Sequence, residues 1–310
     1  GAGAVLRVAP FGDRPRLSSL REVRALLRRG GYDVVHTVGG AVLDHLYPAT
    51  FFLRECPPVV HTHDAAAPLG GLRGFALRGG RVRRIVVGTA AERDALVRRG
   101  RVPRRKIAVV PAGIDIDRFA PGRDGEPRLP EGLGIPSDAP VVGILADPAD
   151  ARADLYAEAA SRAHYLVPEA HFLWISEADP SRARARAEAL GMAGRVHFTT
   201  ADSPDHLLAG LDLAVADGGA GARRLEALAA GVPLVVFDEG DGADVIRNGR
   251  TGLLSRPDDA RALAGHVAAL LRDPALRRAM GAAAREDAIE RYSSRAEAAA
   301  YEAIYQEARR

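Results

Sequence analysis

From residue 218 to residue 236 the chain reads Gly-Gly-Ala-Gly-Ala-Arg-Arg-Leu-Glu-Ala-Leu-Ala-Ala-Gly-Val-Pro-Leu-Val-Val. A glycine-rich turn opens a helix, a carboxylate follows two turns in, and an apolar strand comes directly after. Backbone N–H groups at such a helix start donate to phosphate oxygens, and the carboxylate accepts from ribose hydroxyls. The run therefore predicts an α/β unit in which Gly218, Gly219 and Gly221 line a nucleoside diphosphate and Glu226 holds its ribose.

The same alternation fills the chain. Apolar runs at Val5–Ala9, Asp33–His36, Val59–His61, Ile85–Val87 and Ile107–Val110 predict strands, with helix-period segments between them. One helix carries Leu20, Val23, Leu26 and Leu27 on a single face and opens at Ser19 with Glu22 three residues on; Thr89 and Glu92 repeat that capping spacing. Residues 121–139 are rich in Pro and Gly, lack periodicity and read as a linker. A second strand series follows at Val141–Leu145, Phe172–Ile175, Val196–Thr199, Leu213–Ala216 and Leu234–Phe237. Beyond Asp258 the pattern is helical, broken at Pro274 and around Tyr292-Ser293-Ser294. The expected organisation is a domain at 1–120, the linker at 121–139, a second domain at 140–290 and a terminal helix at 291–310 that crosses back onto the first.

With 310 residues, 47% of them hydrophobic, the chain has material for two ordinary cores. No apolar run reaches the ~18 residues of a membrane span, and no secretory signal precedes the first strand-like run, so the reading is a cytoplasmic protein, with the inner face of the membrane as its other expected place. The single cysteine, Cys56, supports neither an internal disulfide nor a cysteine-based metal site. The net charge of +3 conceals an imbalance: residues 1–120 carry 21 basic against 10 acidic side chains, and Lys106 is the sole lysine. With no recognition motif or stacking aromatics beside that charge, nucleic acid is not an expected partner; the excess reads either as an ordinary solvated surface or as a face that docks on an anionic membrane.

Several blocks in order resemble the family-four retaining glycosyltransferases of GT-B fold. The family usually has Glu-Gly-Phe-Gly, four residues, Glu-Ala, then Gly-x-Pro-Val-Val, which the run at 218–236 follows. Val109-Val110-Pro111-Ala112-Gly113-Ile114-Asp115-Ile116-Asp117-Arg118-Phe119 is similar to its strand-to-linker signature, and 238–254 to its Gly-Gly-x-x-Glu-Val-Val-x-x-Gly-x-Thr-Gly-Leu-Leu block. The resemblance implies two Rossmann-like domains with a cleft between them; the N-terminal one reads as shortened, either because this sequence starts inside the family's first βα unit or because the protein lacks that unit and its Gly-Gly loop. It also implies retaining, metal-independent transfer of a sugar, typically a hexose, from a nucleotide sugar to a lipid-linked or anionic acceptor, with no cofactor. Glu226 would hold the ribose, Gly113 would turn at the cleft floor, and His63 would line the reaction centre as the catalytic-site histidine.

Two motifs carry other readings. His61 and His63, at i and i+2 of a strand end, suit a divalent metal, although His164, His171, His197, His206 and His266 sit singly in the sequence and supply no further ligand set; a structural histidine is the third reading. Asp115-Ile116-Asp117 has the form of a metal-binding pair but is better read as structural. The donor motif is also degenerate. Gly218 stands where the family has a glutamate, Ile144 where it has an arginine, and Asp150 or Ala151 where it has a lysine. Preorganised cations at a diphosphate leaving group are each worth ~10²–10³ in rate. Arg152, Arg223 and Arg224 are the candidate substitutes, and a catalytically impaired binding or scaffold module is the alternative to an active enzyme.

Overall fold

A computed structural model describes residues 17–310 except 52, 54, 65–66, 68, 123–128, 130–131, 201–203 and 218–220; of residues 241 and 243 only the backbone is described. The expected strand at Val5–Ala9 lies outside the described residues. The chain divides into two compact units, Gly1–Pro111 with Ala298–Arg310, and Ala112–Glu297.

In the first unit α1 (Leu17–Arg29) precedes β1 (Val35–Val38), α2 (Gly40–Ala49), β2 (Val59–Thr62), α3 (Gly71–Arg78), β3 (Val82–Val87), α4 (Ala90–Arg98) and β4 (Ile107–Val109). The described strands pair in parallel in chain order, β1-β2-β3-β4. Helix α1 already includes Leu17 and Ser18, so Ser19 lies within it and is buried rather than capping it. At α4 the cap is present with an altered reach: Thr89 Oγ1 accepts from the Glu92 N–H at 3.1 Å, and Glu92 Oε2 accepts from Gly88 N–H at 2.8 Å, one residue further back than a capping box. The sole lysine has a structural post. Lys106 Nζ donates to the carbonyls of Leu77 (2.8 Å) and Gly79 (2.7 Å), closing the C-terminus of α3.

The second unit holds β5 (Val141–Leu145), α5 (Ala153–Leu166), β6 (His171–Ile175), α6 (Ser181–Ala189), β7 (Val196–Thr199), α7 (Pro204–Ala209), β8 (Leu213–Ala216), α8 (Ala222–Ala229), β9 (Leu234–Phe237), α9 (Gly240–Val245), β10 (Gly252–Ser255), α10 (Ala260–Arg272) and α11 (Pro274–Tyr292). Its six-stranded parallel sheet has the order β10-β9-β8-β5-β6-β7. Every residue of β5, β6, β8 and β9 is buried, as expected of a parallel sheet covered by helices on both faces. The strand order reverses between β5 and β8, and crevices at such switch points are where open α/β sheets bind ligands.

Helix α12 (Ser294–Arg309) leaves the second unit and ends in the first. Its Tyr305 hydroxyl meets His36 Nδ1 at 2.8 Å, and its Tyr301 hydroxyl lies 3.0 Å from Thr62 Oγ1, which in turn meets His36 Nε2 at 2.8 Å.

Candidate active site

The switch point of the second unit carries a cavity of about 460 Å³. It is lined by Ala146, Asp147 and Asp150 after β5, Arg152 and Tyr156 at the start of α5, Asp217 after β8, and Glu239 and Gly240 after β9. All of these follow the C-terminal ends of strands, where the sheet leaves loops free to diverge. Trp174 on β6 fixes one wall by donating from Nε1 to the Ala146 carbonyl at 2.6 Å. The Trp174 ring meets Tyr156 edge-on at 6.4 Å, and Tyr156 contacts Phe237 at 5.8 Å.

Arg152 is the cation of this cavity. Its guanidinium pairs with Glu239 and, at 3.0 Å, with Asp258, which keep it charged, and Arg152 in turn holds the Glu239 carboxyl below its ordinary range. Sequence register gave Arg152 only as a candidate substitute; the turn over 147–152 delivers it to the cavity. Ile144, at the family's arginine position, is wholly buried in the core with Val142, Tyr156 and Trp174.

Gly218 and Gly219 lie outside the described residues. Gly221 caps α8 at φ −74°, ψ 137°. Glu226 is on α8 but is not among the residues lining the cavity; its Oε2 accepts no hydrogen bond among the described residues and lies 3.7 Å from Arg223 Nε. Burial raises its carboxyl, opposed by Arg223 and Arg118. Arg224 is buried and donates to the Asp217 carbonyl at 3.0 Å. Gly113 packs closely: a Cβ there would come within 2.7 Å of Ser294 Cα, where Ile114 N–H donates to Tyr292 O and Ser294 N–H to Ile114 O. Asp115 Oδ1 accepts from the N–H groups of Asp117 and Arg118, closing a turn.

In the first unit His63 follows β2, its N–H donating to Val86 O at 2.8 Å. Its ring lines a cavity of about 340 Å³ with Leu69, Glu92, Leu96 and Arg99, and its Nδ1 has no hydrogen-bond partner among the described residues. Burial lowers its pKa, and the Arg73 charge adds to this. His61 is fully buried, 2.9 Å from Thr37 Oγ1, and burial with the neighbouring His63, His36 and Arg73 charges takes it down to about 3. Among the described residues no group of three or more His, Cys, Asp or Glu is placed to hold a metal.

One expectation is corrected. His171 and His197 do not sit singly; parallel pairing of β6 with β7 stacks their rings at 5.2 Å, with Nδ1 of the first 2.9 Å from Nε2 of the second. Sequence reasoning also missed Tyr156, Asp147, Asp217 and Glu239 as cavity residues. Strand order decided all four, and only the quoted 238–254 block gave a signal for one of them.

The sheet, its switch point and the loops around it define a GT-B protein with Rossmann-like units. Residues 3–118 match the family described as Glycosyltransferase Family 4, and residues 148–287 match Glycosyl transferases group 1. The chain belongs to these glycosyltransferases and is a transferase enzyme of that family. It is 29% identical to the GDP-mannose-dependent alpha-(1-6)-phosphatidylinositol monomannoside mannosyltransferase of Mycolicibacterium smegmatis, over 91% of this chain and 86% of that protein. It is 31% identical to the D-inositol 3-phosphate glycosyltransferase of Streptomyces avermitilis, over 65% of this chain and 47% of that one. In fold it is similar to a glycosyltransferase of Rickettsia africae (TM-score 0.78, 18% identity, 94% of this chain and 81% of that). The same holds for HepE of Anabaena, solved in complex with UDP (TM-score 0.77, 20% identity, 96% and 85%).

Proposed function

We propose that this protein transfers a sugar from a nucleoside diphosphate sugar to an acceptor with retention of configuration, binding the donor at the switch-point cavity of the second unit. The observation that carries this reading is Arg152, a charged guanidinium delivered to the C-terminal ends of β5 and β9 although the family's own cation positions are apolar or acidic. The diphosphate meets Arg152 and the start of α8, the ribose meets Glu226, and Arg223, 3.7 Å away, opposes the rise that burial imposes on the Glu226 carboxyl. His63, on the first unit, is the proposed catalytic histidine. No metal or other cofactor takes part.

The relatives' names favour a GDP- or UDP-linked donor and an inositol-type acceptor carrying phosphate, free or lipid-linked. Parallel topology supports docking on an anionic membrane. Helices α1, α3 and α4 end in Arg28 and Arg29, Arg78 and Arg98, while Arg83 and Arg105 stand at strand starts, so these arginines collect at one edge of the first unit. On α3, Leu72 and Phe75 are exposed. No helix among the described residues is long and apolar enough to cross a membrane, which leaves surface docking as the mode proposed.

A second reading, a binding module with impaired catalysis, is favoured by the buried Ile144 and by the ion pairs that already occupy Arg152. Incubation with GDP- and UDP-sugars and with inositol phosphate or phosphatidylinositol vesicles, followed by proton NMR of the new anomeric centre, separates the two. Retained configuration and EDTA-insensitive turnover support the enzyme; nucleotide binding without transfer to any acceptor supports the module.

A further inference from the structure

Tyr156 is 1% exposed, lines the switch-point cavity, and its hydroxyl has no hydrogen-bond partner among the described residues. Its ring is fixed between Trp174 and Phe237, so the hydroxyl cannot turn elsewhere. Buried hydroxyls are ordinarily satisfied, and an exception in a cavity points to a ligand. The hydroxyl stands in the field of Asp217, Arg152 and Glu239, and burial raises its pKa, so it remains a proton donor. One turn before it on the same helix is Arg152, whose charge is taken up by Glu239 and Asp258.

We propose that Tyr156 Oη and the Arg152 guanidinium form a two-pronged phosphate-binding subsite, and that Glu239 is its internal counterion, displaced when the donor's phosphate arrives. This rests on the donor-site reading above and extends it to Tyr156, a residue outside the sequence blocks that carry the family resemblance. The chemistry follows from the donor inventory. A phosphate oxygen accepts from a hydroxyl and a guanidinium together, whereas the Glu239 carboxylate engages only the guanidinium. Glu239 competes with the ligand and therefore sets its affinity. It sits in the extended N-cap position before Gly240 (φ 55°), so its backbone is fixed while its side chain is free to swing away.

The test is calorimetric titration of GDP, UDP, guanosine and uridine into the wild type, Tyr156→Phe, Glu239→Gln and Asp258→Asn. Thermal melts verify that each variant is folded, and Asp258→Asn stands in if Glu239→Gln is not. Tyr156→Phe keeps the packed ring and should weaken both diphosphates about tenfold, while Glu239→Gln should tighten them about twofold to fivefold, the range expected of a partly exposed ion pair. Asp258→Asn should tighten them less, and the phosphate-free nucleosides should be unaffected throughout. Wild-type binding that neither Tyr156→Phe nor Glu239→Gln alters overturns the proposal and leaves the donor site standing. Loss in Tyr156→Phe without gain in Glu239→Gln overturns the counterion role. Absence of diphosphate binding at millimolar concentration in every protein overturns both this inference and the donor-site reading.

Discussion

Trp174 Nε1 donates to the carbonyl of Ala146 at 2.6 Å, tying the loop that follows β5 to the neighbouring strand β6. The loop so held begins the wall of the switch-point cavity and leads to Arg152. Trp174→Phe keeps most of the apolar packing but strands that carbonyl, and should cost about 1–3 kcal/mol in denaturant unfolding. Nucleotide affinity should fall with it; an unchanged affinity would show that the loop needs no such tether.

Ile144 is where the family carries an arginine, yet restoring that arginine should not restore a cation. The position is wholly buried, in the same core as Val142 and Tyr156. An unpaired guanidinium there falls among the most damaging substitutions, above about 4 kcal/mol. Ile144→Arg should therefore be insoluble or unfolded, as read by circular dichroism. A folded Ile144→Arg with raised turnover would mean that the side chain at this position reaches the donor.

Acid should destabilise the protein through its histidines. His61 is held at about 3, and His36, His63, His171 and His197 are also lowered, each chiefly by burial. Their unfolded values lie near 6.5. Between the folded and unfolded values the unfolded chain binds more protons, so stability is fully present above about pH 6.5 and is lost as pH falls toward the folded values. Urea midpoints measured from pH 7.5 to pH 4.5 should decline, and His61→Gln should flatten part of the slope. A midpoint constant over that range would contradict the buried, neutral state.

Lys106 titrates in the opposite pH region. Burial lowers it to about 8 from 10.5. The unfolded state binds the extra proton between those values, so stability rises with pH from about 8 to 10.5. Lys106→Met should abolish that rise and, by removing two donors from the α3 carbonyls, destabilise the protein at pH 7 by about 1–3 kcal/mol. Equal urea midpoints for both proteins from pH 7 to pH 10 would remove the capping role.

The central strands of the second unit were legible because their burial on both faces produces continuous apolar runs: Val141–Leu145, Leu213–Ala216 and Leu234–Phe237 match residue for residue, as does the half-buried edge strand Val196–Thr199. The helix breaks near Pro274 and Ser293 were legible for a local reason, since Asp273 and Ser293 accept N–H groups three residues on. The cavity was not. Its lining comes from loops after three strands whose adjacency is set by sheet order, and no local pattern states that β8 lies beside β5. Tyr156 reads as an ordinary core aromatic until Trp174 and Phe237 are seen to aim its hydroxyl. The stacked His171 and His197 are likewise 26 residues apart and meet only through strand register.

The basic edge of the first unit predicts salt-sensitive binding to anionic lipid. Each well-placed cation contributes on the order of 1 kcal/mol near such a surface, and screening over ~8 Å at physiological ionic strength weakens it. Co-sedimentation with phosphatidylglycerol vesicles should be strong at low salt and reduced at high salt and in Phe75→Ser. Binding indifferent to lipid charge, or none at low salt, would leave these arginines as solvated surface.

The donor site itself is tested most directly by titrating GDP and UDP into the wild type, Arg152→Met and Glu226→Ala. Hydrogen bonds to charged groups are worth about 1.5–3 kcal/mol, so each substitution should weaken the preferred nucleotide by roughly tenfold to a hundredfold while leaving the thermal transition nearly unchanged. Equal affinity in all three proteins, or no binding of either nucleotide at millimolar concentration, would contradict the assignment of the switch-point cavity as the donor site.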